Sequence, residues 1–180
     1  MSSKKPSAAI HEPATETYWR LLAIGIDPDK STPELYGLIH EREADVPLMQ
    51  DGRIVFFTDP TRTRELIQRH GALLAADKID LDKPFFRCDV AQALYFLSVG
   101  GNDEDASVLR AVNVLLDLVK ASGITMIDSR RRALNSIANY CTMSKDLTTY
   151  LEEEGDHSSL ELVDALRWCV GAVVVKSRIV

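Results

Sequence analysis

The chain has no Cys-x-x-Cys pair, and its three cysteines, Cys88, Cys141 and Cys169, are odd in number and far apart. That excludes both a disulfide framework and a zinc site built on thiolates. Each cysteine sits beside apolar residues, where a reduced thiol behaves as a small hydrophobe. A reducing compartment suits such residues, and the cytoplasm is the expected location. No apolar stretch follows Lys4 and Lys5, so the N-terminus does not read as a secretory signal. The longest apolar run near the end, Trp168 to Val175, falls far short of the ~20 residues of a membrane span. Neither half carries an excess of positive charge. Residues 1–90 hold 12 basic and 15 acidic groups, and residues 91–180 hold 9 and 12. With no basic domain to neutralise a phosphate backbone, nucleic acid is not an expected partner. The four histidines, His11, His40, His70 and His157, do not cluster, and there is no internal repeat or low-complexity segment. No cofactor and no metal is called for.

What is present suffices for a folded core. Of the 180 residues, 46% are apolar, enough for one domain or two small ones without disulfides. Residues 1–14 are rich in Ser, Ala, Pro and Lys and read as a tail. An apolar run from Tyr18 to Ile26, closed by Asp27-Pro28-Asp29, fits a strand ending in a turn, and Leu35 to Ile39 is a second extended run. Asp51-Gly52 lies between two apolar runs and predicts a hairpin pairing Pro47–Gln50 with Arg53–Phe57, because both residues accept φ > 0. Asp59 is placed to cap a helix that starts at Pro60, buries Leu66 and Ile67, and ends at Gly71. An antiparallel sheet with one covering helix follows for residues 15–83. The adjacent aromatics Tyr18/Trp19 and Phe56/Phe57 require both faces of that sheet to be occupied.

From Pro84 the apolar period becomes helical. A short helix over Asp89 to Leu97 ends at Gly100-Gly101. Asp103 then caps a long one reaching Ser122, stopped by Gly123. Val108, Leu109, Val112, Leu115, Leu116 and Val119 share one face, widened by Ala111, Val114 and Leu118. Only Arg110, Asn113, Asp117 and Lys120 remain as a polar stripe. Further helices begin at Asp128 or Ser129 and at Ser144, and Ser158 with Glu161 reads as a capping box for the last. The expected architecture is α+β: a small antiparallel sheet with one helix, packed on a bundle of about five helices spanning 84–180.

Three groups of residues are candidates for function. Asp27-Pro28-Asp29-Lys30-Ser31, after the run Leu21 to Ile26, resembles the D-x-D-x-[TV] start of haloacid-dehalogenase-type phosphohydrolases. The resemblance implies Asp27 as nucleophile, Asp29 as general acid and a magnesium ion holding the phosphate. Thr58 would match the second-motif Thr, and Asp103 and Asp105 the late acidic pair. Read as plain residues, the same run is a turn rich in Asp and Pro. The second group, Arg130-Arg131-Arg132, stands in the first turn of a helix, where the macrodipole prefers acids; it is a candidate phosphate or nucleotide site of a regulatory module. The third comprises the acidic runs Asp103-Glu104-Asp105 and Glu152-Glu153-Glu154, suited to a basic partner. A cytosolic protein-interaction module of the adaptor, inhibitor or immunity-protein type is the leading expectation. The phosphohydrolase and the arginine-based module are the alternatives.

Overall fold

The computed structural model describes residues 18–41, 45–69, 78–80, 84 and 86–180, with the backbone alone at positions 67, 78–80, 156 and 157. The fold is α+β, with one eight-stranded sheet and six helices among the described residues.

Strands β1 (Tyr18–Gly25) and β2 (Leu35–Glu41) form its antiparallel centre, Trp19 facing His40 and Leu22 facing Gly37 across the ladder. The segment 46–50 runs between β2 and β5 (Arg53–Phe57). Its first half, β3 (Val46–Pro47), pairs with β2, and its second, β4 (Met49–Gln50), pairs with β5. Asp51 and Gly52 turn the hairpin with φ of 52° and 71°, as the sequence predicts for a two-residue turn.

The sheet is mixed rather than wholly antiparallel. Three further strands, β6 (Lys78–Asp80), β7 (Phe86–Asp89) and β8 (Ser177–Ile179), add in parallel, the first two to β1 and the last to β5. Each is three or four residues long and is recruited by a distant strand, so none carries a local pattern strong enough to announce it.

Both faces of the sheet are covered. On one, Trp19, Leu21, Leu38, Leu48, Val55 and Phe57 pack with Leu66 of helix α1 (Thr63–Arg69). Asp59 accepts the Thr61 N–H at 2.9 Å and caps a 3-10 turn over Pro60–Arg62 that leads into α1. The expected stop at Gly71 and the expected burial of Ile67 lie outside the described residues. On the other face, Leu22, Ile24, Ile39, Ile54 and Phe56 join the helical half in one continuous core. Phe56 and Phe57 thus point to opposite faces, as alternation along a strand requires.

Five helices follow β7: α2 (Val90–Val99), α3 (Ser107–Ser122), α4 (Asp128–Met143), α5 (Leu147–Glu154) and α6 (Asp156–Val175). Helix α3 is central and touches α2, α4, α6 and β7. Its buried face runs through Val108, Ala111, Val112, Leu115, Leu118 and Val119, while Leu109 and Leu116 are half-buried. The buried face is therefore rotated slightly from the one the apolar spacing suggests. Arg110, Asn113 and Lys120 remain exposed, and Asp117 is half-buried. Helix α6 begins before the expected capping box. Gly155 stands at its N-terminus without a side-chain cap, and the Ser159 hydroxyl one turn inside donates to the Leu97 carbonyl at 2.6 Å. No helix among the described residues is long and apolar enough to cross a membrane.

Candidate functional site

Two places in this fold gather polar chemistry: one end of the bundle, and a groove along α3. The end is built by a loop hydrogen-bonded to a second loop across the bundle. Residues 100–106, between α2 and α3, are tied to the turn between α4 and α5. Leu147 donates its N–H to the Gly101 carbonyl at 2.9 Å, and the Asp103 N–H reaches the Lys145 carbonyl at 2.9 Å. The Gly101 N–H donates to the Thr148 hydroxyl at 2.8 Å, and Asn102 pairs with Asp146 as an isolated bridge. Gly100 is required here, since a Cβ at its φ of 73° would lie 2.9 Å from Thr148 Oγ1 and 3.1 Å from Thr148 Cα.

This framework joins the loop that carries one acidic run to the first turn of the helix that carries the other. Glu104 is exposed and pairs with Lys145 Nζ at 3.1 Å, which holds its carboxyl below the usual range with help from the Asn102 amide. Asp105 is exposed beside it. Glu152, Glu153 and Glu154 are exposed on the last turn of α5, whose first turn is bound to the loop. At 1.5 Å rise per residue, Glu152 lies only about 8 Å along the helix from Leu147. Asp103 departs from the expectation of a partner-facing acid. It is buried, and its two oxygens accept the Ser107 and Val108 N–H groups at 2.8 Å each. Its role is to cap α3.

The groove follows the polar stripe of α3. A hollow of about 510 Å³ has Arg110, Asn113 and Asp117 along one side, with Asp45 and Arg87 completing the polar rim. Phe86, Val114 and Leu116 supply apolar wall. A second hollow of about 480 Å³ shares Leu116 and Asp117 and continues past Lys120 to Arg131. A third, of about 180 Å³, shares Arg87 and Arg110 and extends to Asp89, Gln92 and Asp105. Burial raises the Asp117 carboxyl above its ordinary value, and the neighbouring Asp45 raises it further against a small opposing effect of Lys120. Asp45 is raised as well, first by burial and then by Glu41, with Arg20 opposing. Sequence reasoning placed Arg110 and Asp117 on the stripe without assigning them a site, and singled out neither Asp45 nor Arg87. The usable signal was a polar stripe on a helix otherwise surrounded by neighbours.

The remaining candidates are dispersed. Asp27 belongs to a self-contained turn: its Oδ1 accepts the Asp29 N–H at 3.0 Å and its Oδ2 lies 3.4 Å from Lys30 Nζ. Glu34 closes the same turn, accepting the Ile26 and Asp27 N–H groups at 2.8 and 3.2 Å. Asp29 and Thr58 are exposed. Among the described residues no three His, Cys, Asp or Glu side chains come together to hold a metal ion. This geometry lends the phosphohydrolase reading no support.

The three arginines of α4 line three different hollows. Arg130 donates to Asp164 at 2.9 and 3.2 Å and lies 5.4 Å from the Trp168 ring centroid. Arg131 faces the Asp117 groove, and Arg132 shares its hollow with Glu154 and Glu161. They do not converge on one anion.

Burial pushes the Cys88 thiol up to about 12 and those of Cys141 and Cys169 up to about 11, so all three are protonated and unreactive near neutral pH. His40 is buried and stacked on Trp19 with ring centroids 4.6 Å apart. His11 and His70, and the side chain of His157, lie outside the described residues. No protein-family model matches the chain, and neither a curated protein nor a solved structure matches it.

Proposed function

We propose that this is a non-enzymatic protein-interaction module of the adaptor, inhibitor or immunity-protein type, working in the cytoplasm. Its contact surface is the acidic end formed by Glu104 and Asp105 with Glu152, Glu153 and Glu154. The observation that carries the reading is the tie between the 100–106 loop and the start of α5. It links the loop carrying Glu104 and Asp105 to the start of the helix carrying the three glutamates, which supports reading the two runs as one surface that a partner meets without ordering the loop first. Among the described residues, Asp105 and the three glutamates of α5 form no ion pair, which leaves their charge for a partner. The chemistry of such a surface favours a basic protein face and repels nucleic acid. Protonated, mostly buried thiols fit a reducing cytoplasm.

The test is affinity capture with the immobilised native chain, in parallel with a variant carrying Asp105→Asn, Glu152→Gln, Glu153→Gln and Glu154→Gln. The reading requires a protein retained by the native chain at about 0.1 M salt, lost at several-fold higher salt, and not retained by the variant. Equal retention by both chains removes the acidic end as the contact surface.

A further inference from the structure

The 510 Å³ hollow beside α3 carries two acids and two guanidinium groups that form no ion pair among the described residues. Asp45 and Asp117 stand on its rim with Arg87 and Arg110, yet the ion pairs of the described residues, Arg20–Glu41 and Lys145–Glu104 among them, all lie elsewhere. Two acids and two guanidinium groups within one hollow ordinarily collapse into bidentate pairs, because Arg and carboxylate geometries match. Here none of the four pairs with another, and they come from separate places in the fold. Asp117 and Arg110 are two helical turns apart on α3, Arg87 is fixed in β7, and Asp45 immediately precedes β3. Partly buried Phe86, Val114 and Leu116 lie in the same lining.

We propose that this groove is a binding site for a small zwitterion of the amino-acid type, a molecule with a basic nitrogen and a carboxylate separated by a short aliphatic chain. The basic nitrogen seats between Asp45 and Asp117. The carboxylate meets Arg87 and Arg110, and the aliphatic chain lies on Phe86, Val114 and Leu116. The volume falls within the roughly 300–1,000 Å³ typical of small-molecule sites and is too large for a lone ion. An occupant with charge at one end only would leave the opposite pair of side chains unpaired, which is how such a site would discriminate. Burial raises both carboxyls, Glu41 adds to this at Asp45 and Asp45 adds to it at Asp117, against opposing effects of Arg20 and Lys120. Arg87 and Arg110 also line the adjoining hollow that holds Asp105, but the site does not use the glutamates of α5 and stands whether or not they bind a protein.

The probe is 6-aminohexanoate, with hexanoate and pentylamine as singly charged controls, titrated into the full chain and followed by backbone amide chemical shifts. The expected result is saturable shifts confined to β7, the 45–47 segment and the outer face of α3. Affinity for 6-aminohexanoate should exceed that for either control by about tenfold or more, the scale of one charge-assisted contact. Asp117→Asn and Arg110→Gln should each weaken binding by about tenfold while leaving the amide spectrum otherwise native, since both side chains border solvent. The proposal is overturned if no shift appears, if hexanoate or pentylamine binds as well as the zwitterion, or if both variants bind it unchanged.

Discussion

Asp103 accepts the backbone N–H of Val108 at 2.8 Å from within the protein core, and its other oxygen takes the Ser107 N–H at the same distance. A carboxyl side chain in a residue that is 2% exposed is tolerated because it satisfies two of the orphan donors at the start of α3. Asp103→Ala leaves both donors buried without partners and should cost about 2–3 kcal/mol. Asp103→Asn keeps an acceptor and should cost less. Urea denaturation midpoints measure both, and an Ala variant as stable as the native chain would show that the cap contributes nothing.

The turn at Asp51-Gly52 gives a prediction that isolates backbone conformation. A Cβ at Gly52 meets no atom within 4 Å, so Gly52→Val adds no clash and acts only through the φ of 71°. A β-branched residue there should destabilise by about 1 kcal/mol or more, and Gly52→Asn by less, because Asn enters the left-handed region more readily. Thermal unfolding of the two variants checks the order. An equal effect from Val and Asn would contradict the turn geometry.

Asp117 ties pH to stability. Its folded value is raised, so the unfolded chain ionises at lower pH than the native one. The native state therefore loses stability as pH rises from the ordinary aspartate range through the raised folded value. Asp117→Asn abolishes that loss. The variant should gain melting temperature relative to the native chain across the window, keep the full gain at neutral pH, and show none of it below about pH 3. Asp45→Asn should act in the same direction, since its carboxyl is also raised. A melting-temperature difference that does not change with pH would contradict the stated cause.

The elements that sequence reasoning located are those whose signal is local. Asp51-Gly52 specifies its own turn, and Asp59 before Pro60 specifies its own cap. The spacing of Val108, Val112, Leu115 and Val119 marks the buried side of α3, and Leu115 is 3% exposed as that spacing requires. What was not legible depends on chain segments meeting at a distance. Ser177–Ile179 carries no strand pattern of its own and is extended where β5 offers it a parallel partner. The Ser158/Glu161 box looks like a helix start, but Gly155 ends α5 and α6 begins at Asp156, one turn earlier. The site followed the same rule. The acidic runs were visible as runs, whereas the tie between their two segments depends on the Asn102–Asp146 bridge, and the approach of Asp45 to Asp117 depends on how the 45–47 segment meets α3.

The central claim is that both acidic runs meet one partner as a single surface. Amide hydrogen exchange of the full chain, alone and with a partner captured in a salt- and charge-dependent way, tests this most directly. The account predicts that exchange slows together in the 101–106 loop and through α5 on complex formation, while the amides of β2 and β5 are unchanged. Protection of only one of the two acidic segments, or protection confined to another part of the molecule, would contradict it.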